Sequence, residues 1–100
     1  MKTVSLTILS FSLVQPAAAD LGLAAKHHCL ACHAVDHRTV GPSFKEIAKR
    51  YAQDKTASTR LSNKIKRGGG GAWGTLPMPP NPQLSETDVN LLVNWILMIK

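Results

Sequence analysis

Cys29-Leu30-Ala31-Cys32-His33 holds both cysteines of the chain, three positions apart, with a histidine directly after the second. Two thiols at this spacing on a helical turn can fasten one large flat group at two points. The adjacent imidazole is then directed at the centre of that group from the same side. C-x-x-C-H is the attachment pattern of c-type haem, in which the thiols become thioethers on the two vinyl groups and the histidine takes the iron. Two other chemistries compete. A thioredoxin-like redox pair wants a strand–turn–helix setting in an α/β pattern, which is absent. A zinc site would combine the cysteines with His27, His28, His33 or His37, but structural zinc sites usually show a second ligand pair downstream. No second cysteine pair exists.

An iron held by His33 has a second axial position, for which Met78, Met98, His27 or His28, and His37 are the candidates. Met78 lies in Leu76-Pro77-Met78-Pro79-Pro80, where three prolines fix φ and stiffen the backbone. A thioether is a weak neutral ligand, and a stiff loop is what keeps it on ferric iron. Met98 falls at the outer edge of a helical stripe, where partial packing explains it. His27 and His28 precede the attachment turn on the proximal side and do not easily cross to the other face. They and His37 read as surface histidines. Histidine–methionine ligation raises the reduction potential relative to two histidines. It also fills both axial positions, which favours electron transfer over substrate binding.

Four helices are expected to position these residues. The first runs from about Leu21 to Cys29, with Asp20 as N-cap. The second begins at Pro42 and carries Phe44, Ile47, Ala48 and Tyr51 on one face. The third covers about Thr56 to Arg67, with Leu61 and Ile65 four apart, and stops at the four glycines Gly68–Gly71. The fourth starts at Ser85, with Asp88 three residues on as in a capping box. Val89, Leu92, Val93, Ile96 and Ile99 form its apolar stripe, and Leu91 and Trp95 widen it. No segment alternates as a strand does. The long connection from Gly68 to Gln83 is of the kind that carries function.

The 100 residues carry 12 basic and 6 acidic side chains. Residues 1–19 read as a cleavable signal peptide: Lys2, an apolar run from Val4 to Val14 too short to span a bilayer, then Ala17 and Ala19 before Asp20. Residues 20–100 form one domain, too small to bury a large core without a cofactor, disulfide or metal. Loss of Lys2 leaves this part with a net charge of +5. An exported basic protein suits acidic docking partners, with salt-sensitive rates. Nucleic acid is an unsuitable partner, because the basic residues are not interleaved with aromatics.

The chain resembles small bacterial class I cytochromes c of the c-551/c-552 type. The matching stretches are CLACHAVD, VGPSFKEIAKRYA, KIKRGGGGAWGTLPMPPN and the Asn94–Leu97 segment, in order along nearly all of residues 20–100. The resemblance implies an all-α cytochrome c fold, about four helices around one covalent haem c. It makes Cys29 and Cys32 the thioether residues, His33 the proximal ligand and Met78 the distal one. It further implies that the Pro42 carbonyl accepts the proximal ring N–H and that the Trp73 indole bonds a haem propionate. Lys64 would lie near a propionate, Asn81 would bond near the methionine ligand, and Trp95 would pack near the haem. Three departures touch no ligand: the run of four glycines, Asn94 in place of an aspartate, and Leu23 and Ala24 where an aromatic is usual.

The expected function is one-electron shuttling between Fe(III) and Fe(II) by a soluble periplasmic monomer that is not an enzyme and takes no small-molecule substrate. By resemblance, a membrane cytochrome complex would be its donor and a terminal oxidase or haem nitrite reductase its acceptor. The alternative is a haem peroxidase or gas sensor, which requires Met78 to leave the iron.

Overall fold

The computed structural model describes residues 2–10 and 16–100. Residues 2–10 have no regular secondary structure, and Val4, Leu6, Ile8 and Leu9 are exposed, so these residues contribute nothing to the core. The remainder of the expected signal peptide lies in part outside the described residues.

Four helices follow in order: α1 (Pro16–Lys26), α2 (Phe44–Tyr51), α3 (Ala57–Arg67) and α4 (Glu86–Met98). A short 3-10 turn, Cys29–Ala31, carries the attachment motif. The described residues contain no strand, only an isolated antiparallel bridge between Gly69 and Met78. The fold is all-α.

Helix α4 is the central element and packs against α1, α2 and α3. Its stripe explains why: Val89, Leu92, Val93, Trp95 and Ile96 are buried. They meet Ala24 of α1, Phe44 and Ile47 of α2, and Leu61 and Ile65 of α3 in one core. Ala24 is fully buried, and Leu23 beside it is only partly so, which places a small residue rather than an aromatic at the inner face of α1.

Several expectations about the helices need correction. Asp20 is not an N-cap, because α1 begins at Pro16 and runs through it. Nor does α1 reach Cys29. It ends at Lys26, and His28 takes a left-handed conformation (φ 63°) that breaks the helical path before the thiols. Pro42 is not the first residue of α2. Ser43 caps that helix with a reciprocal pair: the Glu46 N–H donates to Ser43 Oγ at 3.0 Å, and the Ser43 N–H donates to Glu46 Oε2 at 2.9 Å. Leu91 does not widen the α4 stripe inward but is exposed. At the start of α4, Ser85 Oγ accepts from the Asp88 N–H at 3.1 Å, as its spacing suggests.

Candidate functional site

The attachment turn is short and tightly tied. The Cys32 carbonyl accepts from the Gly41 N–H at 2.7 Å and from the Thr39 hydroxyl at 2.7 Å. These bonds fold the segment after His33 back over its own imidazole. Gly41 is needed there for space, because a Cβ would lie 2.8 Å from His33 Cε1. The turn hands the chain to Pro42, whose carbonyl accepts from His33 Nδ1 at 2.6 Å. A carbonyl can only accept, so Nδ1 carries a proton, and Nε2 is the nitrogen left to face the crevice. The imidazole also stacks on Phe44 (centroids 5.3 Å, 26° between planes), and Phe44 meets Trp95 edge-on at 5.2 Å. His33 is thereby positioned from the core of α4 outward through Phe44.

Met78 is positioned from the other side of the chain. The Gly69 N–H donates to the Met78 carbonyl at 3.0 Å, and the Met78 N–H donates to the Gly69 carbonyl at 2.8 Å. Gly68, just before, has φ 69° and ψ −161°, a region that essentially only glycine occupies. A Cβ on it would lie 2.4 Å from the Met78 carbonyl oxygen. Beyond the prolines, Asn81 anchors the loop to the end of α3. Its backbone N–H and its Nδ2 both donate to the Ile65 carbonyl, at 3.0 and 3.1 Å. The Asn81 amide thus holds the methionine loop through the backbone of α3.

Cys29, Cys32, His33 and Met78 all line one crevice, whose other walls come from α2, α3, α4 and the Gly69–Pro79 loop. Its free space is about 1060 Å³ with the open mouth included. Phe44, Ile47, Leu61, Ile65, Leu92 and Ile96 supply its apolar wall. Burial pushes the Cys29 thiol up from its ordinary pKa, with the nearby Cys32 adding to the rise and a backbone hydrogen bond opposing it. The donor set fits a haem: two thiols for covalent attachment, an imidazole whose Nδ1 is tied to the Pro42 carbonyl, a thioether on a pinned loop, and apolar walls for a flat macrocycle.

Trp73 and Lys64 stand at the rim. Trp73 is partly buried, with the Arg50 guanidinium over its ring at 4.5 Å from the centroid and Arg38 at 5.9 Å. Arg50 also donates to the Ala72 carbonyl, which ties α2 to the loop. Lys64 reaches over Gly69, where its Nζ would lie 3.1 Å from an added Cβ.

Three of the other candidate ligands lie on the surface. Met98 is 73% exposed, and His28 and His37 are exposed, with His37 beside Asp36 at 2.9 Å. His27 is not a surface histidine: its ring is mostly buried, with Nε2 3.4 Å from Asp88 at the start of α4. Sequence reasoning missed the Ser43–Glu46 capping box, although S-x-x-E is legible in Ser43-Phe44-Lys45-Glu46. It also missed the Gly69–Met78 bridge, for which no local signal exists.

A family model described as Cytochrome c matches residues 22–100. Cytochrome c-552 of Nitrosomonas europaea is 49% identical over 84 residues, covering 84% of this chain and 82% of that protein. Cytochrome c-551 of Allochromatium vinosum is 43% identical over 88 residues, covering 88% and 94%. The crystal structure of the wild-type Nitrosomonas europaea protein superposes with a TM-score of 0.77 at 48% identity, over 80% of this chain and 99% of that one.

Proposed function

The chain belongs to the cytochrome c family, and we propose that it is an exported shuttle carrying single electrons through one histidine–methionine-ligated haem c. Membership makes it a small electron-transfer haem protein rather than an enzyme, with redox proteins as its partners. When bound, the covalent haem c supplies an iron that cycles between Fe(III) and Fe(II).

The remaining work falls to the chain. Cys29 and Cys32 give the two thioethers. His33 would give Nε2 to the iron, with the Pro42 carbonyl holding its other nitrogen, fixing the ring and strengthening its donation. Met78 would give a thioether to the iron, kept in place by its bridge to Gly69. Trp73 and Lys64 serve the propionate side at the rim, and Asn81 steadies the methionine loop. A site that keeps both ligands in both oxidation states has little to reorganise, which suits a carrier.

The observation that carries this reading is that all four donor residues line a single apolar crevice. Residues 1–19 act as the signal peptide, with cleavage after Ala19 leaving Asp20–Lys26 of α1 to pack on α4. Among the described residues no helix is long and apolar enough to cross a membrane. The working place is the periplasm, where basic side chains around the crevice steer encounters with acidic partner surfaces. A membrane cytochrome complex as donor, and a terminal oxidase or haem nitrite reductase as acceptor, complete the proposed route.

The test is the mass and visible spectrum of protein exported from cells that attach haem. The expected mass is that of residues 20–100 plus one haem, with a far-red methionine–iron band in the oxidised form. A bare polypeptide mass would overturn the cofactor assignment. Met78→Ala is expected to turn the iron high-spin or recruit a histidine, with ready uptake of cyanide. An unchanged spectrum would reject Met78 as ligand.

A further inference from the structure

A second groove lies beside the haem crevice and has the opposite character. It is similar in size, about 1040 Å³ with its open mouth included, and shares Tyr51, Lys64 and Ala72 with the crevice wall. Its other lining is polar and basic: Arg50 from α2, and Arg60, Asn63 and Arg67 from α3. Positions 60, 63, 64 and 67 fall on one face of a helix, so the sequence lays a stripe of three cations and an amide along α3. Arg50 joins them from the last turn of α2. Asp54 is the sole carboxylate in the lining, which leaves the groove a net of three positive charges.

Asp54 is already committed. It accepts from the Thr56 N–H at 2.8 Å, from the Thr56 hydroxyl at 2.7 Å and from Arg60 at 3.0 Å. Like charges three and four apart on a helix repel. The helix dipole favours basic residues in the last turn of α3, namely Lys64, Lys66 and Arg67. It does not account for Arg60 in the first half of that helix or for Arg50 on another element. Lys66 is paired with Glu86, whereas Lys64 and Arg67 have no ion pair among the described residues. Two of the cations are also held in place. Arg50 is fixed by the Ala72 carbonyl and the Trp73 ring, and Arg60 by Asp54.

We propose that this groove binds a free multivalent oxyanion of the phosphate type, with Arg50, Arg60 and Arg67 as its donors and Lys64 left to the propionate side of the crevice. A carboxylate is satisfied by one guanidinium fork. Three arginines converging from two helices, against one carboxylate, match an anion that has acceptors on several sides and more than one charge. The groove shares a wall with the haem crevice, but Arg60, Asn63 and Arg67 line only the groove and can be varied without touching the crevice. Anion binding there neutralises a basic patch that adjoins the crevice rim, and so weakens the attraction of the carrier for acidic partners.

The test follows backbone amide shifts of the haem-loaded protein during titration with inorganic phosphate and with pyrophosphate, against chloride at equal ionic strength. Saturating shifts are expected along Arg60–Arg67 and at the end of α2, tighter for pyrophosphate and absent with chloride. R60Q/R67Q is expected to weaken pyrophosphate binding at least tenfold. Asn63→Asp, which adds a carboxylate while leaving the Asp54–Arg60 pair intact, is expected to do the same. Lys49→Gln and Lys55→Gln, outside the groove, are expected to leave it unchanged. Equal weakening by all these variants would show a general charge effect and overturn the site. So would shifts spread over every lysine-bearing surface, or a glutamate oligomer binding the groove as tightly as pyrophosphate, which would reassign it to acidic protein surfaces.

Discussion

Gly69 and Met78 exchange both of their backbone hydrogen bonds across a loop that otherwise has almost no regular pairing. The bridge fixes the backbone of the proposed distal ligand to the end of α3, and it depends on the residue before it. Gly68 can hold its φ of 69° and ψ of −161° and approach the Met78 carbonyl only because it has no Cβ.

Gly68→Ala is therefore expected to act on the ligand and on stability together. Strain in that backbone region costs about 1–3 kcal/mol, and the 2.4 Å approach to the Met78 carbonyl adds to it. Thermal unfolding should shift down, and the far-red methionine–iron band should weaken. Gly22→Ala on α1, where nothing lies within 4 Å of an added Cβ, should do neither.

Ser43→Ala removes the acceptor for the Glu46 N–H at the start of α2. Loss of such a cap costs about 1 kcal/mol, and in a domain of this size that is a fall of roughly 4–8 °C in Tm. Ser43 is 1% exposed, so water cannot readily replace the lost oxygen. A Tm within a degree of the parent would show that the cap contributes little.

Phe44→Ala opens the stack between His33 and Trp95. Truncating a buried phenylalanine costs about 3–5 kcal/mol. The imidazole should also lose one of its two positioning contacts, leaving the Pro42 bond. Denaturant unfolding measures the first effect, and broadened or shifted His33 ring resonances the second. Intact ring resonances in a destabilised variant would mean that Pro42 alone orients the ligand.

Asp54 links pH to the start of α3. Hydrogen bonds from the Thr56 hydroxyl and backbone, with Arg60 behind them, hold its carboxyl below the usual aspartate range. A depressed folded-state pKa means that this stabilisation is present above the ordinary pKa and is lost as pH falls through the folded-state value. Asp54→Asn should lower stability at neutral pH and flatten the acid limb of the stability profile. A parallel acid limb in parent and variant would remove Asp54 from that linkage.

Much of the site was legible because its chemistry is local. C-x-x-C-H at 29–33 states its cofactor in five residues, and the flanking prolines mark Met78 before any fold is known. The stripes of α2, α3 and α4 were readable because a buried helix face repeats every three to four residues. So was the stop at Gly68. The start of α1 and the end of that helix were not, because they turn on packing against α4 and on a single left-handed residue, His28. Leu91 was misplaced because periodicity gives the centre of a helix face, not its edges, and His27 because residue type alone does not show that Asp88 of α4 lies beside it.

By itself, then, the sequence determined the attachment motif and the helical class and put forward the proposed donors, since each is encoded within a few neighbouring residues. Only the tertiary structure decided that Gly69 holds Met78, that Gly41 lets the chain close over His33, and that Arg50 joins the α3 stripe in a second groove. Those relationships join residues eight or more positions apart. They depend on distances across the fold, which no local pattern carries.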